Sequence, residues 1–186
     1  MKVKPKAADR NERKERQGGT MTKKTVAEKA HGNVRDRELM RWKRARASGL
    51  KTILFVCTGN SLRSPIAEGI INHSFQGTWA AFSAGVVPMD LNRDAVKIMA
   101  EVGIDISGCG AKHVDIFRDC CFDRIVILCS DAGRLCPNLP DHREKDHIMF
   151  HDPLLSSEGF FFGPKALLRK LREEIKKALL EYMKSV

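Results

Sequence analysis

The residues best suited to carry out chemistry are a cysteine, an arginine and a serine in the short segment Cys57-Thr-Gly-Asn-Ser-Leu-Arg-Ser64. A cysteine thiolate is a strong nucleophile, and an arginine guanidinium can hold two oxygens of one oxyanion at once. Arg63 stands six positions after Cys57, which lets the arginine return over the loop. We therefore predict that Cys57 is a nucleophile beside a site for a tetrahedral oxyanion.

The sequence on either side predicts a strand before this segment and a helix after it. Residues 52–57 form an apolar run typical of a buried parallel strand, and Ser64-Pro65 suits the first turn of a helix. A glycine and an asparagine between them tolerate left-handed backbone, which can turn successive amides inward. The helix start adds unpaired amides and a positive dipole, so the site should favour an anion and the Cys57 thiolate. The residues assigned to oxyanion binding are Thr58, Gly59, Asn60, Ser61, Leu62 and Arg63, and Ser64 is expected to donate to the sulfur.

The rest of the chain predicts strands that alternate with helices, as in an open, mostly parallel sheet. Apolar runs predict strands, and three- and four-residue apolar spacing predicts helices. The expected strands are residues 52–57, 79–83, 123–129 and 147–150. The expected helices are one from Ser64, one over 92–102, a short one over 113–121 and a long one from Pro164 to the end.

At these residues the chain resembles the low-molecular-weight protein tyrosine phosphatase superfamily, which includes the thioredoxin-coupled arsenate reductases. Ser83-Ala-Gly85, Gly103–Ser107 and Asp152-Pro153 also match that family's pattern, so the resemblance covers residues 51–186. It implies a phosphatase-I-like α/β fold, with a four-stranded parallel open sheet and helices on both faces. It also implies that Asp152 is the general acid, which would protonate a departing oxygen from above the loop.

Two further cysteines distinguish the two activities found in this superfamily. Residues 128–137 resemble the redox segment of the arsenate reductases, in which two cysteines stand seven apart after a strand. By that resemblance Cys57 attacks arsenate, Cys129 attacks the Cys57 sulfur, and Cys136 then forms a Cys129–Cys136 disulfide that thioredoxin reduces. Without the resemblance, Cys129 is interpreted as a buried strand cysteine and Cys136 as an incidental surface thiol.

Several positions depart from the family pattern. Leu62 replaces a second cysteine that commonly precedes the loop arginine, and residues 154–155 are leucines where phosphatases usually place tyrosines. Some arsenate reductases bind potassium through an asparagine, a glutamate, a serine and an aspartate. Lys112 stands at the aspartate position, so we expect no potassium site, because its ammonium could play the same electrostatic role. The other three ligand types are matched by Asn60, Glu68 and Ser83.

Charge is distributed very unevenly along the 186 residues. Residues 1–49 carry 16 Lys or Arg and 6 Asp or Glu, whereas the remaining residues carry 17 of each sign. We predict a basic, disordered N-terminal tail over residues 1–49 and one phosphatase/arsenate reductase domain over residues 50–186. Residues 34–47 could form a short basic helix. A weak nucleic-acid contact by the tail is an alternative to a merely solvated segment.

The composition indicates a protein of the reducing cytoplasm. No apolar run reaches 18 residues and no secretory signal is recognisable, so the six cysteines are expected to be reduced. Cysteine spacing does not fit zinc sites, so no metal and no cofactor is expected. We expect a monomer that acts on arsenate or a phosphate-type oxyanion, with thioredoxin as the reductant. The alternatives are a phosphatase acting through phosphocysteine, a nucleic-acid-binding protein and a redox or arsenite sensor. Cys109, Cys120 and Cys121 match no motif and are assigned to packing.

Overall fold

The computed structural model describes residues 23–136, 145–153 and 163–186, with side chains described from residue 34. Within these ranges four strands form one parallel sheet in the order β2-β1-β3-β4. The strands are β1 (Lys51–Cys57), β2 (Trp79–Gly85), β3 (Arg124–Ile127) and β4 (Lys145–His147). The helices are α1 (Lys23–Ala47), α2 (Arg63–Ser74), α3 (Arg93–Ala100), α4 (Ser130–Leu135) and α5 (Pro164–Tyr182), with a 3-10 helix at Val114–Phe117. The predicted α/β fold class is confirmed.

The two central strands bring the chemically interesting residues to one edge of the sheet. Six of the seven residues of β1 are buried, which requires that helices cover both faces. β1 pairs in parallel with β2 and β3, and Cys57 lies opposite Gly85 at the end of the ladder. Because parallel strands end at a common edge, Cys57 and Cys129 both emerge there, where ligands bind in open parallel sheets.

Helices α3 and α5 form for the reasons that their sequences suggest. Asn92 caps α3 by accepting from the amides of Asp94 at 2.9 Å and Ala95 at 3.0 Å, and the helix is followed by Gly103 with φ of 76°. Pro164 begins α5, whose apolar positions recur every three or four residues and are buried. Those buried positions are Leu167, Leu168, Leu171, Ile175 and Leu179.

Residues 34–47 are helical, as the sequence suggested, but they are part of the longer helix α1 and pack on the domain instead of belonging to a disordered tail. Trp42 contacts Phe122 edge to face with ring centroids 6.4 Å apart, and Ala45 is buried. Leu39, Trp42 and Ala45 recur every three residues and lie in or against the core, although the segment as a whole is polar. Residues 1–22 lie outside the described residues, so the tail and the nucleic-acid contact predicted there stay predictions.

Three smaller predictions also needed correction. The fourth strand runs over Lys145–His147 rather than residues 147–150, and a 3-10 turn replaces the expected helix over residues 113–121. Helix α4 was not predicted, because its six residues include Gly133 and few apolar side chains. Among the described helices, none combines the length and the apolar character that crossing a membrane would need.

Candidate active site

Cys57 ends β1 and lies at the bottom of a loop that leads into α2. Its side chain is 2% exposed, and its sulfur accepts a hydrogen bond from the Asn60 amide at 3.3 Å. Asn60 has a φ of 49°, the left-handed conformation that the sequence suggested for this turn. The loop therefore curls back over the sulfur. We call residues 57–64 the oxyanion loop.

The carbonyl groups of the oxyanion loop are held by the segment that follows β2. The carbonyl oxygens of Thr58 and Gly59 accept from the amides of Val87 at 2.9 Å and Met89 at 2.8 Å, and Asn92 donates to Ser61 at 2.9 Å. Carbonyls engaged on this outer side leave the loop amides available for an anion on the inner side. Leu62, the last loop residue before the arginine, is 3% exposed and packs in the core.

Gly85 allows this close approach of the loop to the end of β2. A methyl group at that position would lie 2.7 Å from the Asn60 amide nitrogen and 2.8 Å from the Thr58 carbonyl oxygen. Such contacts are shorter than protein structures tolerate, so only glycine fits beside the loop. The glycine of the Ser83-Ala-Gly85 motif thus has a defined structural reason.

Ser64 can change its hydrogen bonding with the charge on the sulfur. Its Oγ lies 3.0 Å from Cys57 Sγ and 3.3 Å from the carbonyl oxygen of Ala84. A protonated Cys57 can donate to Ser64 while the hydroxyl donates to Ala84. A thiolate instead can accept from the same hydroxyl after it rotates, which stabilises sulfur as an anion or leaving group.

Arg63 and Asp152 meet at the open side of the oxyanion loop. Arg63 is 9% exposed and donates from Nη1 to the Phe150 carbonyl at 3.2 Å and from Nη2 to Asp152 Oδ2 at 3.3 Å. Its Nε is buried and lacks a hydrogen-bond partner among the described residues. An unsatisfied guanidinium N–H next to loop amides fits an oxyanion oxygen. Residues 154–155, the leucines at positions where phosphatases usually have tyrosines, lie outside the described residues.

The second cysteine lies directly beside the oxyanion loop. Cys129 follows β3, is 5% exposed, and its sulfur lies 3.1 Å from the hydroxyl of Thr58. Thr58 is the neighbour of Cys57 in the chain, so the geometry brings two thiol-bearing residues to one site. The Leu128 amide fixes this position by donating to the carbonyl of Val56 at 2.8 Å.

The third cysteine stands at the far end of α4. The Cys136 amide donates to the Ala132 carbonyl at 2.8 Å, so the residue closes the helix that begins just after Cys129. Seven residues at 1.5 Å each place the two Cα atoms about 10 Å apart. A disulfide requires less than about 7 Å. In the folded helix, Cys136 is therefore too far from Cys129 to form a disulfide with it.

The remaining cysteines have environments that suit packing better than chemistry. Burial, reinforced by the Glu68 carboxylate, raises the pKa of Cys109 to about 12. Burial, with help from Asp119, raises the pKa of Cys120 to about 11. Thiols of this kind stay protonated and unreactive at neutral pH. Within the described residues, no group of three or more His, Cys, Asp and Glu side chains could hold a metal ion.

A buried carboxylate, Glu68, lies behind the oxyanion loop. Its Oε2 lies 3.2 Å from Lys112 Nζ, whose side chain has no exposed surface, and it also accepts a hydrogen bond from Ser83. Burial alone would raise the pKa of Glu68, but the nearby Lys112 and Arg41 hold it below its ordinary value. The Lys112 ammonium lies against the carboxylate that would ligate potassium, so the residues present do not fit that ion.

Sequence reasoning missed one participant in this network, the guanidinium of Arg41. It lies on α1 and contacts Glu68 Oε1 at 2.7 Å and Glu38 Oε2 at 2.8 Å. The Glu38–Arg41 spacing of three residues is a recognisable helix pairing. The contact with Glu68 spans 27 positions of sequence, and nothing local to either residue indicates it.

Comparisons with known proteins agree with the site. A family model described as low molecular weight phosphotyrosine protein phosphatase matches residues 52–186. A protein named arsenate reductase from Shouchella clausii (strain KSM-K16) is 41% identical over 127 residues, covering 67% of this chain and 89% of that protein. The arsenate reductase of Bacillus subtilis (strain 168) is 40% identical over 134 residues, covering 71% and 94%.

Solved structures give the same picture. A structure described as an arsenate reductase in the phosphate binding state aligns with a TM-score of 0.60 at 27% identity, covering 74% of this chain and 99% of the other. A low molecular weight protein tyrosine phosphatase from T. tengcongensis aligns with a TM-score of 0.58 at 28% identity, covering 73% and 99%. The chain is thus similar to both reductases and phosphatases, so the choice between these two activities depends on Cys129 and Cys136.

Proposed function

This chain belongs to the low molecular weight phosphotyrosine protein phosphatase family, and on that premise we propose that it reduces arsenate to arsenite. The observation that carries the proposal is the Cys129 sulfur, 3.1 Å from the hydroxyl of Thr58 in the oxyanion loop. A phosphatase needs one nucleophilic cysteine, whereas reduction of As(V) to As(III) needs a second thiol to supply electrons. Relatives near 40% identity that are named arsenate reductase support the same choice.

In the first step the Cys57 thiolate attacks arsenate. The loop amides and the Arg63 guanidinium hold the oxygens. The Nε of Arg63 has no hydrogen-bond partner among the described residues, which supports that role. The S–As bond forms as one As–O bond breaks. The protonated Asp152 gives its proton to the departing oxygen, which leaves as water, and the carboxylate that remains pairs with Arg63 at the 3.3 Å seen in the structure.

In the second step the Cys129 thiolate attacks the sulfur of the Cys57 adduct. The new S–S bond forms, the S–As bond breaks, and its electron pair stays on arsenic, which becomes As(III). Arsenite leaves after taking up protons from water. Ser64, 3.0 Å from Cys57 Sγ, can donate a hydrogen bond that stabilises the thiolate before the adduct forms.

In the third step Cys136 attacks Cys129 and releases Cys57 as a thiolate. Because the ends of α4 lie about 10 Å apart, the helix must unwind before this bond can form. Helix α4 has little that stabilises it, because it has only six residues and contains Gly133. Its Asp131–Arg134 ion pair is exposed and therefore adds little. Glycine costs a helix interior about 1 kcal/mol relative to alanine.

We infer that a dithiol protein of the thioredoxin class reduces the resulting Cys129–Cys136 disulfide. Leu135, 60% exposed beside Cys136, offers an apolar contact for such a partner. Two electrons enter the disulfide by thiol–disulfide exchange, which restores both thiols and balances the two electrons given to arsenate.

The test is arsenate-dependent NADPH consumption with thioredoxin and thioredoxin reductase. Wild-type protein is expected to turn over, and Cys129→Ser is expected to lose turnover while still hydrolysing an aryl phosphate slowly. Cys109→Ser is the matched control, because it removes a thiol that the mechanism does not use. Full turnover by Cys129→Ser would contradict the role given to Cys129. Steady phosphate hydrolysis with no arsenate reduction by wild type would instead indicate a phosphatase.

A further inference from the structure

Helix α1 lies before the region that the family model matches, yet one of its side chains reaches the network behind the oxyanion loop. The Arg41 guanidinium contacts Glu68 Oε1 at 2.7 Å and also donates to the carbonyl of Ala81 in β2. Its carbon lies 4.2 Å from the centre of the Phe82 ring. Because several groups contact its guanidinium, Arg41 is held in one position, unlike the more exposed arginines in the ion pairs elsewhere on α1.

A continuous series of hydrogen bonds leads from Glu68 to the nucleophile. Ser83 donates to Glu68 and accepts from the Asn60 side-chain amide at 2.9 Å. The same amide donates to Ser64 at 3.0 Å, and the Asn60 backbone amide donates to Cys57 at 3.3 Å. Asn60 is thus held from both sides in its left-handed conformation.

Each oxygen of Glu68 has its own cation. Lys112 lies on the Oε2 side, together with the Ser83 hydroxyl, while Arg41 lies on the Oε1 side. Without Arg41, a carboxylate that is 1% exposed would keep one cation for two oxygens. The carboxylate would then turn toward Lys112 or take up a proton, because an uncompensated buried charge is costly. Either response disturbs the bond from Ser83 and therefore the position of Asn60.

We propose that Arg41 is a positioning residue, through which helix α1 holds Asn60 and the oxyanion loop in the anion-binding conformation. This inference rests on the proposed role of the loop as the oxyanion site. It gives α1 a function in the chemistry, beyond covering the sheet. The reaction step affected is binding and attack at Cys57, whereas the later thiol exchanges at Cys136 do not involve the network.

The matched comparison uses two arginines of the same helix. Arg41→Met removes the contact with Glu68, whereas Arg46→Met removes a 2.9 Å pair with Asp123 that also anchors α1. Affinity for inorganic phosphate, measured by calorimetry, and the rate of Cys57 alkylation by iodoacetamide report on the loop. We expect Arg41→Met to weaken phosphate binding about tenfold, and Arg46→Met to change it less than about twofold.

Two further measurements separate positioning from a general loss of structure. Thermal unfolding checks that both variants fold. Arg41→Gln serves if Arg41→Met does not fold, since it keeps a polar side chain but supplies no positive charge to Glu68. In Arg41→Met the KM for arsenate should rise and the rate of Cys57 alkylation should change. The rate at which thioredoxin reduces the preformed Cys129–Cys136 disulfide should stay the same.

Unchanged phosphate affinity and Cys57 alkylation in Arg41→Met, or in Arg41→Gln where that variant is used, would overturn the inference, as would equal losses in Arg46→Met. Phosphate binding without arsenate turnover in wild type would remove the proposed reductase activity alone, and the effect of Arg41 on the loop would still be measurable. A wild-type protein that binds no phosphate would remove both.

Discussion

The oxyanion loop and helix α4 both follow strands at the same edge of the sheet, yet they are held in different ways. The loop is buried, its carbonyls accept from the segment after β2, and Asn60 is bonded on several sides. Helix α4 has six residues, one of them buried, with exposed Leu135 near its end. One region is rigid and the other has little that keeps it folded.

This difference corresponds to two chemical requirements. Attack on an oxyanion needs fixed donors, because small displacements of reacting atoms cost large factors in rate. A thiol relay needs sulfur atoms that approach each other in turn, and the two ends of α4 start about 10 Å apart. Under the proposed mechanism, the oxyanion loop alone suffices for phosphate hydrolysis, whereas arsenate reduction also needs the two cysteines that flank α4.

The largest expected effect comes from removing a sulfur from each region. Cys57→Ser should abolish both arsenate reduction and aryl phosphate hydrolysis, by at least about a thousandfold, because both begin at this thiolate. Cys136→Ser should keep phosphate hydrolysis and release one arsenite per protein molecule, since the first two steps remain. Rapid quench with arsenite quantification checks this, and repeated turnover in Cys136→Ser would contradict the relay.

A second prediction disturbs the rigidity of the loop without touching a reacting atom. Gly85→Ala would place a methyl group 2.7 Å from the Asn60 amide nitrogen, so the loop must shift. We expect kcat/KM for arsenate to fall about a hundredfold. Gly110→Ala is the control, because nothing lies within 4 Å of a methyl group there. Equal activities of the two variants would show that the loop tolerates displacement.

The two regions also differ in how well the sequence predicts them. The loop follows from local signals, since the apolar run, the Gly-Asn turn and the Ser64-Pro65 helix start are neighbours in the chain. Helix α4 was missed because its stability depends on contacts with the sheet rather than on its own composition. The Arg41–Glu68 contact was missed because charge in a sequence does not indicate which distant partner will bury it. The sequence predicts the loop that carries the reactive residues, but it does not predict the distant elements that hold this loop in place.

A third prediction tests whether α4 must unwind. A methyl group at Gly133 would meet His147 at 3.5 Å, an ordinary contact, so Gly133→Ala fits the folded helix. It should stabilise α4 by about 1 kcal/mol and slow Cys129–Cys136 disulfide formation about fivefold. Single-turnover mass spectrometry of the disulfides measures this step.

Aryl phosphate hydrolysis is the internal control for Gly133→Ala, because it uses the oxyanion loop and no unwinding. Its rate should match wild type. A variant that forms the Cys129–Cys136 disulfide at the wild-type rate would contradict the unwinding step and would indicate that the two thiols meet while α4 stays folded.

The smallest expected effect concerns the accessibility of Cys136 in the reduced protein. Burial raises the pKa of this thiol, although nearby Lys145 partly offsets the effect, so the folded state favours the neutral form. Below that pKa the thiolate fraction rises about tenfold per pH unit, and unwinding α4 should return the thiol to its ordinary value near 8.5. Iodoacetamide at about pH 8 should therefore modify Cys136 a few-fold more slowly in native protein than in urea-unfolded protein. Cys109, whose pKa is raised to about 12, should react more slowly still. Equal rates at Cys136 in native and unfolded protein would mean that α4 is already open at rest, and the contrast with the rigid loop would then be one of order against disorder rather than of strong against weak packing.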